Sequence, residues 1–236
     1  KPVTIDLKEA HLGIVGDKGN IHEQLKLLVA QLTCLQSYHD LQFVAIYEDQ
    51  YHNDFAWMRW YPHFRIQAIN AYGTIHSEQM RDQVLGSMNQ ILKDRKVKQD
   101  ENQKDIRFLP HYVFIIDEPR LIMDHSIMEY LDKEGEALGF SIIYTTHLRE
   151  NLPENIGTVL LVDNSEQGTL LLDHKIMVDK KLTLNHTGNI NLENISRNLS
   201  VLVHEQGMIS KIPESITFLE MCQIEKPEEL NVQQRW

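Results

Sequence analysis

Basic charge is scarce in this sequence: 23 Lys and Arg stand against 34 Asp and Glu, a formal charge of −11. That sign is wrong for a surface devoted to phosphate backbones and unattractive to anionic lipid, so nucleic acid is not an expected partner. Cysteine is scarcer still. Cys34 and Cys222 lie 188 positions apart, and the 12 histidines form neither HExxH nor a paired-histidine helix spacing. A disulfide framework or zinc site is therefore unsupported, and no bound metal is expected on this ground. Long apolar runs are also missing, since none exceeds five residues, where a membrane-spanning helix needs roughly 20. The opening Lys1-Pro2-Val3-Thr4-Ile5-Asp6 has no apolar signal core. Beginning on Lys, it is the expected start of a fragment whose parent carries any membrane anchor elsewhere.

What is present suits a globular α/β domain: 236 residues, 42% of them hydrophobic and 24% charged. Short β-branched runs alternate with longer helical stretches, which predicts a mostly parallel sheet flanked by helices. Strands are expected at 3–7, 12–15, 43–47, 65–68, 112–116, 141–145, 158–162 and 199–204. The unbroken apolar runs at 113–116 and 142–144 place those strands centrally. Helices are expected at 22–37, 76–98 and 127–138, each with an apolar face. The mixed charges of 93–105 read as a frayed helix end and solvated loop. Three short runs between 169 and 191, bounded by Asp, Asn and Gly, predict small hairpins. Past Pro213 periodicity fades and the chain turns acidic, as in a strap or linker.

Two stretches meet the demands of a nucleotide site. Residues 111–118, His-Tyr-Val-Phe-Ile-Ile-Asp-Glu, form an apolar strand ending in adjacent carboxylates, the form of a Walker B element. A buried strand holds its carboxyl end rigidly, so Asp117 can hold the water shell of Mg²⁺ and Glu118 can orient the attacking water. Strand side chains alternate, so both acids reach one site only if the strand stops there. A buried strand emerging into solvent also ends in acids without further role, and that reading stays open.

Residues 12–23, Leu-Gly-Ile-Val-Gly-Asp-Lys-Gly-Asn-Ile-His-Glu, lie where a Walker A loop belongs. The working motif GxxxxGK[ST] needs free backbone N–H groups, a lysine and a hydroxyl. Counting from Gly16, Ile21 replaces the second glycine, His22 the lysine and Glu23 the hydroxyl. Counting from Gly13, Lys18 and Gly19 fall where glycine and lysine belong. A missing lysine removes a contact worth about 1.5–3 kcal/mol; Glu23 would repel phosphate, and Ile21 resists the positive φ such loops often take. Gly13, Gly16, Asp17, Lys18, Gly19, Asn20, Ile21, His22 and Glu23 thus make at most a weak phosphate loop, although Lys18 and His22 still offer positive charge near the helix start. No tightly held cofactor is expected; weak ATP and Mg²⁺ are the limit, with Asp117 as metal ligand. A plain strand–turn–helix without ligand is the other reading. In Phe140-Ser-Ile-Ile-Tyr-Thr-Thr-His-Leu-Arg149, Thr146 and His147 occupy the place of γ-phosphate sensors, or simply cap the strand.

Together, the glycine loop without its lysine, the Ile-Ile-Asp-Glu strand end, the helix over 127–138 and this last strand resemble the FtsK/SpoIIIE-type ATPases of the additional-strand, RecA-like class. In that family the strand after Walker B runs G-x-x-[LIV]-x-x-A-T-Q-R-P. Here Thr145 falls on the Ala, Thr146 on the Thr and His147 on the Gln, followed by Pro153-Glu-Asn-Ile156. Over nearly its whole length the chain resembles the membrane-anchored, EssC/EccC-type ATPases of type VII secretion, in the domain before their first well-formed ATPase module. The resemblance implies a RecA-like sheet with small β-hairpin additions near the C-terminal third, a domain over 1–212 and a connector over 213–236. It implies a place on the cytoplasmic face of the cell membrane and an oligomeric parent. Implied partners are other modules of the parent chain, the secretion system's membrane components and secreted proteins. The implied role is a non-catalytic or weakly nucleotide-binding domain coupling the membrane part to motor modules. The alternatives are an active Mg-ATP hydrolase with a non-standard phosphate loop, and an unrelated α/β interaction module.

Overall fold

A computed structural model describes residues 3–101, 106–132, 135–188 and 190–201. The chain runs β1 (Leu12–Gly16), α1 (Lys18–Leu35), β2 (Leu41–Ile46), the short α2 (His52–Phe55) among 3₁₀ turns, then β3 (Arg65–Ile66), β4 (Ala71–Tyr72) and β5 (Thr74–Ile75). It continues with α3 (Glu78–Glu101), β6 (His111–Asp117), α4 (Met128–Leu131), α5 (Gly135–Leu138), β7 (Phe140–Thr146), β8 (Thr158–Val162), β9 (Gln167–Asp173), β10 (Ile176–Thr183) and α6 (Leu192–Ser200).

One eight-stranded sheet has the order β5–β2–β6–β7–β1–β8–β9–β10. Its first six strands are parallel, and β9 and β10 add an antiparallel hairpin at one edge. This is the mostly parallel sheet with hairpin additions that the sequence implies, and β7 lies between β1 and β6. Alternation along β6 explains its continuous apolar run: Val113 and Ile115 enter one core cluster while Tyr112, Phe114 and Ile116 enter the cluster on the other face. Helix α1 places Ile21, Leu25 and Val29, four residues apart, in the first cluster. Helix α3 covers the opposite face with Val84, Leu85, Met88 and Leu92.

Several elements depart from expectation. Residues 3–7 are not a strand: Asp6 accepts from the Lys8 and Ala10 N–H groups and turns the chain, while the Leu7 carbonyl accepts from the Ser141 hydroxyl. Of 65–68 only Arg65–Ile66 is extended, paired with Ala71–Tyr72 in a separate ribbon. The helix over 127–138 is two short ones, α4 and α5. The three runs after 169 make one hairpin, β9–β10, turning at His174 and Lys175 with φ of 47° and 65°. Within 199–204, Leu199 and Ser200 belong to α6, because Leu192, Ile195 and Leu199 recur at helical spacing, Asn191 caps the first turn and Arg197 pairs with Glu193. Residues 202–204, 102–105, the connector 213–236 and Cys222 lie outside the described residues. Among the described residues no helix is long and apolar enough to cross a membrane.

Candidate functional site

Parallel α/β sheets present their crevice at the carboxyl ends of the strands, and there β1, β6 and β7 bring the candidate residues together. Strand β1 ends at Gly16, where an added Cβ would lie 2.6 Å from the Val162 carbonyl oxygen, so the close approach of β8 requires glycine. Asp17 alone separates β1 from α1, and caps the helix by accepting from the Gly19 N–H at 3.2 Å. Its carbonyl accepts from the Ile21 N–H at 2.9 Å. The helix begins at once, and Gly19, Asn20, Ile21, His22 and Glu23 lie in its first turns. Ile21 is helical and fully buried, so the positive φ expected to trouble it never arises.

Lys18, the first residue of α1, carries its ammonium into the crevice. Its Nζ lies 2.7 Å from Asp117 Oδ1 and 2.8 Å from Glu118 Oε1, and its side chain is 22% exposed against 1% and 15% for the acids. Both acids reach it because β6 stops at Asp117 and Glu118 takes φ 103°, ψ 119°, a backbone region that a non-glycine residue rarely adopts. The turn cancels the alternation that would send the two side chains apart. The Glu118 N–H still donates to the Thr145 carbonyl at 3.0 Å. Thr145, the β7 partner of Asp117, donates its hydroxyl to Asp117 Oδ1 at 2.6 Å, and Thr146 donates to Glu118 Oε2 at 3.0 Å.

His22 closes the site from below. It is 4% exposed, with Nε2 3.6 Å from Asp117 Oδ1 and Nδ1 3.7 Å from Asp54, and its ring meets Tyr51 and Phe55 edge-on. Among the described residues neither His22 Nε2 nor Asp117 Oδ2 has a hydrogen-bond partner. Burial pushes the Asp117 carboxyl upward, but the His22 ring, the Lys18 charge and the Thr145 hydroxyl together outweigh it and hold its pKa below the usual value. His147, in the sensor position, donates from Nδ1 to the Gly16 carbonyl at 3.1 Å and so ties β7 to β1. Glu23 pairs with Lys26 at 2.7 Å and accepts from Thr187. Gly13 lies inside β1 under Leu152 and Ile156.

These residues do not fit Mg-ATP held in the usual way. The Asp17 carboxylate already occupies the helix N-terminus, where a phosphate would be attracted. The Lys18 ammonium fills the position between the acids that a divalent cation would neutralise, and Glu23 offers no hydroxyl. Among the described residues no group of three His, Cys, Asp or Glu side chains is placed to hold a metal. Sequence reasoning placed Thr145 on the family's Ala without a role in the site, and passed over Tyr51, Asp54 and Phe55. Thr145 carried a signal, since β6–β7 pairing sets it opposite Asp117; the other three come from an irregular stretch without periodicity.

No protein-family model matches the chain. It is 37% identical over 235 residues to the ESX secretion system protein YukB of Bacillus subtilis and 35% identical over 235 residues to the ESX secretion system protein EccC of Geobacillus thermodenitrificans. Each match covers 100% of this chain and 16% of the relative, so the chain spans about a sixth of the length of these curated relatives. Among solved structures, EssC (ATPases 2 and 3) from Geobacillus thermodenitrificans matches over 82% of this chain and 43% of that one, with a TM-score of 0.61 at 13% identity. That likeness shows a shared fold. The chain is homologous, from end to end, to one section of the EssC/EccC/YukB proteins of type VII secretion, and has the fold of the ATPase domains of EssC.

Proposed function

We propose that this chain is a non-hydrolysing ATPase-like domain of a type VII secretion translocase, coupling the membrane part of its parent to motor modules on the cytoplasmic face of the cell membrane. One observation carries the first half: the Lys18 ammonium stands between Asp117 and Glu118. Phosphoryl transfer depends on positioned positive charge around the phosphates and on a metal beside the first acid. Here the chain itself supplies an anion at the helix start, the Asp17 carboxylate, and a cation at the strand end, the Lys18 ammonium. ATP with Mg²⁺ then has neither an anion site nor a cation site to enter.

The second half rests on homology. Identity of 37% and 35% to stretches of YukB and EccC, against 13% to ATPases 2 and 3 of EssC, supports a section distinct from those two modules. Other modules of the parent chain, membrane components of the secretion system and secreted proteins are its proposed partners, with oligomerisation supplied by the parent. ATP hydrolysis by the chain and by Glu118→Gln tests the reading. The expected result is no Mg²⁺-dependent turnover in either protein. Turnover in the unaltered chain that Glu118→Gln abolishes would make it an active hydrolase with Lys18 in the role of the missing lysine.

A further inference from the structure

Beside the Lys18 cluster, on the α4 side of β7, lies a second cavity of 730 Å³ that the reading above does not use. Its apolar lining comes from Met123, Met128, Leu152, Pro119 and Pro153. Met123 is 69% exposed, and methionine is a soft surface that adapts to an incoming chain. Asp132, Glu150 and Glu154 also line it, and none of the three has an ion-pair partner among the described residues. Of the remaining charges around it, Glu118 shares the Lys18 ammonium with Asp117, and Arg120 is engaged by Glu48.

Two of the residues lining the cavity also carry buried oxygens that no described residue meets. Tyr144 is fully buried, yet its hydroxyl has no hydrogen-bond partner among the described residues, and neither has Asn155 Oδ1. The Asn155 amide nitrogen is already committed to the carbonyls of Leu131 and Asp132 at 3.4 and 3.1 Å. Buried polar atoms are normally paired, so these two oxygens call for a donor.

We infer that this cavity receives an arginine side chain from a partner polypeptide. An aliphatic stem suits the methionine and leucine wall, and a cationic head suits the three carboxylates, which have no ion-pair partner among the described residues. The guanidinium carries five donors in a rigid plane and meets several acceptors at once; the ammonium of lysine is a compact point charge. An anionic or purely apolar occupant would leave the carboxylates unpaired and the two oxygens unmet. The inference is independent of whether the chain hydrolyses ATP.

The test uses the peptide acetyl-Leu-Arg-Leu-amide and its citrulline counterpart, which keeps the shape and removes the charge. Binding is followed by methyl NMR of Met123 and Met128. The arginine peptide is expected to shift both methyls saturably, and the citrulline peptide to bind at least about tenfold more weakly. The triple variant Asp132→Asn, Glu150→Gln, Glu154→Gln alters exposed or rim side chains; it is expected to unfold as the parent does and to lose about tenfold in affinity. Tyr144→Phe is expected to weaken the arginine peptide more than the citrulline one. Equal binding of the two peptides, shifts that leave Met123 and Met128 untouched, or no saturable binding of the arginine peptide would each overturn the inference.

Discussion

At the scale of single residues the site is decided by Lys18. Two adjacent carboxylates, one 1% exposed and the other 15%, face the same ammonium, whose charge offsets their mutual repulsion. Removing one member of such a buried ion cluster leaves uncompensated charge, an effect of about 3–5 kcal/mol, here reduced by the partial exposure of Lys18 to about 2–3 kcal/mol. Lys18→Met is therefore expected to lower unfolding stability by that amount in urea titrations, and Asp117→Asn in the same background is expected to recover part of it. A loss under about 0.5 kcal/mol would mean that the ammonium is solvated and the acids are held by other means.

Protonation extends the same argument. His11 is lowered to about 4 by burial and by the Lys175 charge, and its Nδ1 accepts from the Ile142 N–H. His111 is lowered to about 4 by burial, then by the charges of Lys8, Arg95, Arg107 and His11. Because the Ser141 hydroxyl donates to the Leu7 carbonyl, His111 Nε2 donates to Ser141 Oγ. Unfolded histidines take up protons near 6.5, before the folded ones do, so their contribution is complete above that pH and is lost as pH falls from 6.5 toward 4. Asp117, held below the usual carboxylate value of 3.8, contributes fully above 3.8 and loses that contribution as pH falls further. Thermal unfolding followed from pH 7 to 4 is expected to show the decline, shallower in His111→Gln; an equal decline in both proteins would contradict the histidine account.

Elements differed in how much of them could be read from residue order. Strands β6 and β7 were plain because burial on both faces leaves no polar position in their centres, and Asp117 and Glu118 were found as the residues where that burial ends. The start of α1 was not. Residues 17–23 contain two of the features of a phosphate loop, glycine and lysine, and only three-dimensional packing shows that Asp17 caps a helix begun at Lys18. Asp17→Ala is expected to cost about 1 kcal/mol through the lost cap without creating affinity for Mg-ATP, which urea titration and calorimetry would check together. Residues 49–75 were the least legible, since 3₁₀ turns and two-residue strands carry no period. Tertiary contact dominates there: Gly73 packs against the Phe43 carbonyl so closely that no Cβ fits. Gly73→Ala is expected to lose about 1–3 kcal/mol by overpacking, measured by thermal unfolding.

For the molecule as a whole, the inserted strand β7 between β1 and β6 brings the threonine pair against the acids, and the parallel sheet sets all the pieces at one edge. This architecture is that of the ATPase domains of EssC, and at its strand ends one ammonium, that of Lys18, is paired with both acids. On the proposed reading the seam between fold and chemistry is electrostatic: the strand ends remain in place, and Asp17 and Lys18 stand where an anion and a cation would bind. Calorimetric titration of the chain with Mg-ATP tests this most directly. The account predicts millimolar or absent binding, unchanged in Asp117→Ala variants that remain folded. Binding at tens of micromolar or tighter, lost on Asp117→Ala, would contradict it.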